Sequence, residues 1–273
     1  MRKLSSRPRK RRRIVGVVAL AATVLSLVVA VPANAGTLVA TGQRCGLATL
    51  IYVRGSLEAA GSGSMYGGRV YQSGGIGQRL VNFGLAVDND QLIPVYQEAL
   101  NYPAAVWSAD GTNYVNSVAI GVSRLRAEIE DIATTCPHTN ILLAGYSQGA
   151  HVIGDVIDST TSTQLSSNAK SKIAAVALWG DPTYVPGESW DAAGNPSARG
   201  RFWRNTHAFS QYVGTKWTEN GPTSISRVVS YCLAGDAWCQ AAYPGGQTIH
   251  ESYNTTSGWA FMRQFLIDSD RHQ

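Results

Sequence analysis

Metal-ligand spacing is missing from this sequence: its 4 cysteines and 5 histidines contain no C-x2-C and no H-x3-H pair. A structural or catalytic zinc site is built on such spacings, so no metal is expected. A G-K-[ST] triplet is missing too. The glycine- and serine-rich stretch 61–77 does not follow a strand directly, so it reads as a surface loop rather than a phosphate cradle. No organic cofactor is implied. Internal repeats are absent. Basic charge is sparse except at one end, where residues 2–13 carry eight Lys/Arg and no acid. Without those eight, the 23 basic side chains fall to 15 against 18 acidic ones, a net charge of −3. No Lys/Arg cluster remains elsewhere, so a nucleic-acid groove has no electrostatic support.

What is present begins with that basic end. It runs into an apolar stretch, Ile14 to Val31, and then Pro32-Ala33-Asn34-Ala35. Basic region, apolar core and small-x-small site describe a secretory signal peptide over 1–35, cleaved after Ala35. The rival is an uncleaved anchor, but Gly16, Thr23 and Ser26 dilute a run near the lower limit for spanning, about 17 residues. Stable membrane insertion after cleavage is therefore not expected. Arg11-Arg12-Arg13-Ile14-Val15 also fits a twin-arginine signal, which leaves the export route open. Residues 36–273 then form a single domain, long enough for one sizeable core. A secreted monomer is the expectation.

An even number of cysteines in an exported chain reads as two disulfides. Three pairings of Cys45, Cys136, Cys232 and Cys239 exist. Joining Cys232 to Cys239 closes a short loop and leaves Cys45 with Cys136 for the long one.

Apolar, β-rich runs alternate with helical spacing. Strands are expected over Leu50–Val53, Leu92–Tyr96, Ile141–Ala144, Ile173–Trp179 and Arg227–Tyr231. Their near-continuous apolar character suits strands buried on both faces. Helices are expected over Ile76–Val87, Val115–Ala133, Gln148–Ile157 and Gly258–Ile267. The second places Val118, Val122, Leu125, Ile129 and Ile132 on one side and Arg126, Glu128 and Glu130 elsewhere. This alternation implies an α/β fold, a three-layer α/β/α sandwich with a mostly parallel central sheet. Residues 181–225, rich in proline and glycine, read as a long irregular excursion, a wall or a lid.

The strand Ile141–Ala144 ends in Gly145-Tyr146-Ser147-Gln148-Gly149. A lone G-x-S-x-G arises easily by chance, but here it sits between a strand and a helix, the context that lifts a serine hydroxyl out of a tight turn. The bland alternative is a glycine-lined turn with an idle serine. A serine needs a base to take its proton and an acid to orient that base. In this context the chain order is serine, acid, histidine. His138 comes too early. His151 lies one helical turn beyond Ser147, His207 sits in the excursion, and His272 is near the end. His250 fits the order. Asp236 and Asp181 compete as the acid, since both follow a strand. Asp236 lies inside the Cys232–Cys239 segment, where a clamp would hold its carboxylate. Asp181 precedes Pro182, an ordinary turn signal.

Taken together, Arg54-Gly55-Ser56, Gly145-Tyr146-Ser147-Gln148-Gly149, the cysteine-bracketed Gly235-Asp236 and His250 resemble the cutinase family of α/β-hydrolases. The resemblance runs from about Cys45 to the C-terminus. It implies Ser147 as nucleophile, Asp236 as acid and His250 as base. It also implies an oxyanion hole from the backbone N–H groups of Ser56 and Gln148, helped by the Ser56 hydroxyl. Two departures concern the surroundings. Fungal members commonly have Thr after that early serine, where Leu57-Glu58 follows here, and the 181–225 excursion is longer than in the smallest members.

The expected activity is hydrolysis of carboxylic esters through an acyl-serine intermediate, on short-to-medium acyl esters and lipid polyesters. Acetylxylan esterase and lipase or phospholipase activities of the same fold are the alternatives. A non-catalytic polymer- or cell-wall-binding protein is the rival from another class, and it would need no acid–base–nucleophile set. Trp107, Tyr114, Tyr243 and Ile249 are expected to line the substrate cleft. Neither Trp107–Tyr114 nor Ala241–Ile249, the segments that hold them, has the long amphipathic helix of a lipase-type lid.

Overall fold

The computed structural model describes residues 42–63, 69–70, 75–161, 165–218, 221–241 and 245–269. The export signal expected at 1–35 lies outside the described residues. In chain order the elements are β1 (Ala48–Val53), β2 (Ser62–Gly63), β3 (Arg69–Val70), α1 (Val81–Asp88), β4 (Val95–Ala99), α2 (Thr112–Thr135), β5 (Asn140–Tyr146) and α3 (Gln148–Ile157). They continue with α4 (Ser167–Lys172), β6 (Ile173–Trp179), β7 (Val213–Thr218), β8 (Gly221–Ser226), β9 (Val228–Tyr231), α5 (Gln247–His250) and α6 (Ser257–Ser269).

The central sheet has the order β4-β1-β5-β6-β9, and every pairing in it is parallel. Alternate residues of each strand feed two separate cores, as the two-residue period of a strand requires. Ile141 and Leu143 of β5, with Val176 and Leu178 of β6, pack on the side of α2 and α3. Leu142, Ala144, Ala175, Ala177 and Trp179 pack on the side of α1 and α6. Both faces being covered explains why these strands read as unbroken apolar runs. Parallel strands end together, so the register pairs Val53 with Gly145, Tyr146 with Trp179 and Trp179 with Tyr231. The loops that follow β1, β5, β6 and β9 therefore meet at the C-terminal end of the sheet.

On α2 the expected stripe is inside: Val118, Leu125, Ile129 and Ile132 are buried. Truncating a fully buried leucine such as Leu125 to alanine costs about 2–5 kcal/mol. Gly121 lets α2 close on its neighbours, because a Cβ there would stand 2.8 Å from Val152 and 2.9 Å from the Tyr102 ring. One residue departs from the pattern. Glu128, expected away from the stripe, is buried along with Glu98 of β4.

Two other expectations need correction. The strand expected over Leu92–Tyr96 is Val95–Ala99, and Leu92 is 80 % exposed. Pro94 has no N–H to give a sheet and stands just before the strand. Asp90 draws the preceding residues into a turn, its carboxylate accepting Leu92 N–H at 3.2 Å. The 181–225 excursion is not wholly irregular either. It contains β7, which pairs antiparallel with β8 as a hairpin.

Both disulfides pair as the loop closures suggest. Cys45–Cys136 ties the segment before β1 to the end of α2, and Cys232–Cys239 closes the loop after β9. The first spans 91 residues and stabilises by about 4–5 kcal/mol in the chain-entropy picture. Among the described residues no helix is long and apolar enough to cross a membrane.

Candidate active site

Ser147 joins β5 to α3 with φ 54° and ψ −118°. A non-glycine residue there is strained by about 1–3 kcal/mol and persists only where its surroundings dictate it. The flanking glycines supply the room. A Cβ on Gly145 would lie 2.7 Å from Ile153 Cδ1, and one on Gly149 would lie 1.8 Å from the Val53 carbonyl oxygen. Glycine at both positions lets α3 start directly against the end of β1. Ser147 N–H donates to Trp179 O at 2.8 Å, and the hydroxyl makes no capping bond to its own helix. It is left for another partner.

That partner is His250, brought in by the single turn of α5. Its Nε2 lies 2.8 Å from Ser147 Oγ, and its Nδ1 lies 2.8 Å from Asp236 Oδ2. His250 is 3 % exposed and Asp236 is fully buried. An ionised carboxylate can only accept, so Nδ1 carries the ring proton and Nε2 is free to accept from the serine. Tyr146 packs on the imidazole at 5.2 Å between centroids, and its hydroxyl donates to the His250 carbonyl.

Asp236 is held from several directions. Oδ1 accepts the N–H groups of Trp238 at 2.6 Å and Cys239 at 2.9 Å, both inside the disulfide-closed loop. Oδ2 accepts the Tyr253 hydroxyl at 2.8 Å. Burial alone would push this carboxyl up. The bond and charge of His250 and the two N–H donors overcome that and hold it below the usual carboxylate range. Tyr253 was not legible in the sequence. It is an aromatic residue three places after the histidine, with no motif around it. Its phenol is raised by burial first and by the Asp236 charge next.

The rival acid is occupied elsewhere. Asp181 Oδ1 accepts Thr183 N–H at 2.9 Å and its hydroxyl at 2.6 Å, and Oδ2 pairs with Arg204 at 3.2 Å. His151 is bonded on both sides, Nδ1 to the Tyr114 hydroxyl at 3.1 Å and Nε2 to Asp155 at 3.3 Å. His138 and His207 are exposed, and His272 lies outside the described residues.

Gln148 is the first residue of α3, where N–H groups lack intrahelical acceptors. It is fully buried, and its side chain is locked by Nε2 on Ala105 O and Oε1 under Ser117 Oγ, both at 2.8 Å. Ser56 is half-buried in the Gly55–Glu58 turn after β1. The β1–β5 register and the contact of Gly149 with Val53 and Arg54 place that turn beside the start of α3.

Beside His151 the rings of Trp107, Tyr114 and Phe202 cluster. Trp107 stacks on Phe202 at 5.4 Å and tilts toward Tyr114 at 5.7 Å. Trp107 is 39 % exposed and Tyr114 is buried, so Trp107 is the part open to solvent. Phe202, from the excursion, had no sequence signal. Ile249 is half-buried next to Gly235. Tyr243 lies outside the described residues. Among the described residues no group of three or more His, Cys, Asp or Glu is arranged to hold a metal ion.

The family model for cutinase matches residues 44–268. Carboxylesterase Culp1 of Mycobacterium tuberculosis is 35 % identical over 247 residues, which cover 90 % of this chain and 89 % of that one. Acetylxylan esterase 2 of Talaromyces purpureogenus is 31 % identical over 172 residues, 59 % of this chain and 67 % of its own length. In three dimensions the catalytic core of an acetylxylan esterase from Trichoderma reesei superposes with a TM-score of 0.61 at 22 % identity, over 81 % of this chain and 98 % of that one. That likeness speaks for the fold. The family match spans most of the chain, and so does the 35 % identity. The chain belongs to the cutinase family and is a carboxylic ester hydrolase.

Proposed function

We propose that the protein is a secreted, monomeric serine esterase in which Ser147 is the nucleophile, His250 the general base and Asp236 the acid that orients it. The observation that carries this reading is the unbroken chain from Asp236 Oδ2 through both nitrogens of His250 to Ser147 Oγ, each link 2.8 Å. His250 Nε2 takes the hydroxyl proton as Ser147 Oγ attacks the ester carbonyl carbon. The carbonyl oxygen becomes an oxyanion, stabilised by the N–H groups of Gln148 and Ser56. The C–O bond to the leaving alcohol then breaks, and His250 returns its proton to the departing oxygen. Water repeats the sequence on the acyl-serine: it gives a proton to Nε2 as its oxygen attacks the acyl carbon, the bond from that carbon to Ser147 Oγ breaks, and Nε2 returns the proton to Oγ, releasing acid and free Ser147.

The substrate class follows from the walls. Trp107 offers a partly exposed apolar face next to small polar residues, and its stack on Phe202 makes the excursion a fixed wall on that side. An open cleft of this kind suits acyl chains of roughly two to eight carbons, because methylenes beyond its walls stay in water and forgo the about 0.8 kcal/mol that burying each would bring. Acetyl esters of a polysaccharide are a second reading, favoured by the acetylxylan esterase among the relatives. A purely binding role has no use for a buried acid, base and strained serine.

The test is a rate profile over aryl esters of increasing chain length, with acetylated xylan and a lipid polyester alongside. Butyrate faster than palmitate, without activation at a lipid–water interface, supports the open cleft. A palmitate optimum with strong interfacial activation overturns it in favour of a lipase. Failure of a serine-directed phosphonate to label the protein overturns the catalytic reading altogether. Intact mass of the exported protein tests the start at Gly36.

A further inference from the structure

The turn that carries Ser56 is fastened by a carboxylate that the reaction itself does not use. Gly55–Glu58 is closed by Glu58 N–H on Gly55 O at 3.3 Å. The Glu58 side chain then folds back over its own turn. Oε2 accepts Gly55 N–H at 2.7 Å, and Oε1 accepts Arg79 N–H, just before α1, at 2.9 Å. Space is kept for it: a Cβ on Gly77, at φ 85°, would stand 2.2 Å from Oε2. The main chain of the turn is tied down as well, with Leu57 N–H on Ala104 O at 2.9 Å and Arg54 Nε on Glu58 O at 2.8 Å.

Such fastening is needed because the turn is strained. Leu57 has φ 64° and is 76 % exposed, so no packing of its own side chain holds it there. From Arg79 the connection runs on toward the histidine. Its guanidinium donates to the Glu251 carbonyl at 2.8 Å and carboxylate at 2.7 Å, and Glu251 follows His250. One carboxylate thus links the Ser56 turn to the segment that grips the neighbour of the base.

We propose that Glu58 is a positioning residue for the oxyanion site: its two backbone N–H bonds fix the Ser56 N–H relative to the Ser147 elbow and His250. The inference rests on the reading of Ser56 and Gln148 as the oxyanion donors. Those donors act only when aimed within about 2.7–3.1 Å of the developing charge. Glutamine at position 58 keeps one acceptor oxygen but turns an NH2 group toward the other N–H. Aspartate keeps the charge and falls one methylene short. Both variants release one end of the clasp.

The experiment compares Glu58→Gln and Glu58→Asp with the parent full chain, on an aryl butyrate, with turnover expressed per site titrated by a phosphonate. Titration removes any unfolded fraction from the comparison. The expected result is a fall in kcat per titrated site of about 10- to 100-fold in both variants, as for a misplaced donor, with KM within about twofold. A boronic acid, whose serine adduct puts an oxygen in the same hole, should bind more weakly by a similar factor. Turnover per titrated site within about threefold of the parent in both variants, or a loss confined to KM, overturns the positioning role. A simple structural role would lower Tm and the titratable fraction while leaving both readouts intact. A parent that the phosphonate does not label fails at the serine-esterase reading itself, and the inference falls with it.

Discussion

The α-carbon of Gly180 abuts the imidazole of His250: a Cβ there would lie 2.7 Å from Cε1 and 2.9 Å from Nδ1. Gly180 directly follows β6 at φ 59°, with its N–H on Tyr231 O at 2.9 Å. Backbone that close fixes the ring from behind while Asp236 and Ser147 hold its two nitrogens. Gly180→Ala should push the ring out of line and lower kcat by about 10²-fold, the cost of misplacing a reacting group by roughly 1 Å. The left-handed backbone adds about 1–2 kcal/mol of destabilisation, visible as a lower Tm. Steady-state kinetics and a melting curve check both, and a variant with parental kcat would show that the ring has room to spare.

Ser147→Ala should reduce hydrolysis by several orders of magnitude, since a nucleophile, base and acid act as a unit. The fold should be indifferent, because alanine keeps both the Cβ and the strain of φ 54°. A Tm within about 4 °C of the parent is expected, as losing the hydroxyl's hydrogen bond to His250 changes stability by about 1 kcal/mol. Residual activity above about a tenth of the parent would remove Ser147 from its role.

The two acids separate by what each holds. Asp236→Asn should cost about 10⁴ in turnover, as for the acid of a serine protease, by favouring the wrong tautomer of His250. Asp181→Asn removes the charge that faces Arg204 at 3.2 Å inside the protein, so it should cost about 1–3 kcal/mol of stability and little rate. Parallel kinetics and thermal unfolding of the two variants give the answer, and the opposite pattern would move the acid to Asp181.

That contest shows where reading from sequence stops. The boundaries of β6 and α3 follow from composition: Ile173–Trp179 is apolar without a break, and Gln148–Ile157 is punctuated by the glycine-flanked serine before it. Asp181 and Asp236 each follow a strand of the same sheet, so chain order alone cannot separate them, and the preference for Asp236 rests on its cysteine bracket and on Pro182 after Asp181. What the sequence does not carry is Arg204, brought to Asp181 by a loop with no periodicity. Phe202 escaped for the same reason, since its place on Trp107 depends on how an aperiodic segment returns to the sheet. Tyr253 reaches Asp236 across the loop between α5 and α6, a path that no spacing rule encodes. Glu128 lies three residues after Leu125 and four before Ile132, so spacing puts it beside the buried stripe; its charge argued it off that face, and its burial rests on Glu98 and Arg44 arriving from other elements.

Glu128 leads to a pH dependence whose sign is opposite to that of Asp236. Burial pushes its carboxyl well above the usual range, and the neighbouring Glu98 charge pushes it further. Glu98 is itself raised by burial. Arg44, bonded to Asp131 of α2, offsets part of this for both, while Asp131 and Tyr96 are the other titratable groups around the pair. A carboxyl raised in the folded state binds more protons there than in the unfolded chain. Its contribution to stability is therefore complete below the unfolded value and is lost as pH rises through the folded one. Asp236, held low, contributes stability above its unfolded value that is lost as pH falls. Maximum stability should lie between, and the alkaline decline should belong to the carboxyl pair. Glu128→Gln removes the proton uptake and offers Glu98 a permanent donor. Its Tm at pH 8 should exceed the parent's by about 2–4 °C, the shift that roughly 1 kcal/mol makes in a domain of this size, with no gain at pH 5. Thermal unfolding of both proteins from pH 5 to 9 decides it, and an equal gain or loss at every pH would mean that Glu128 is merely packed there and does not titrate.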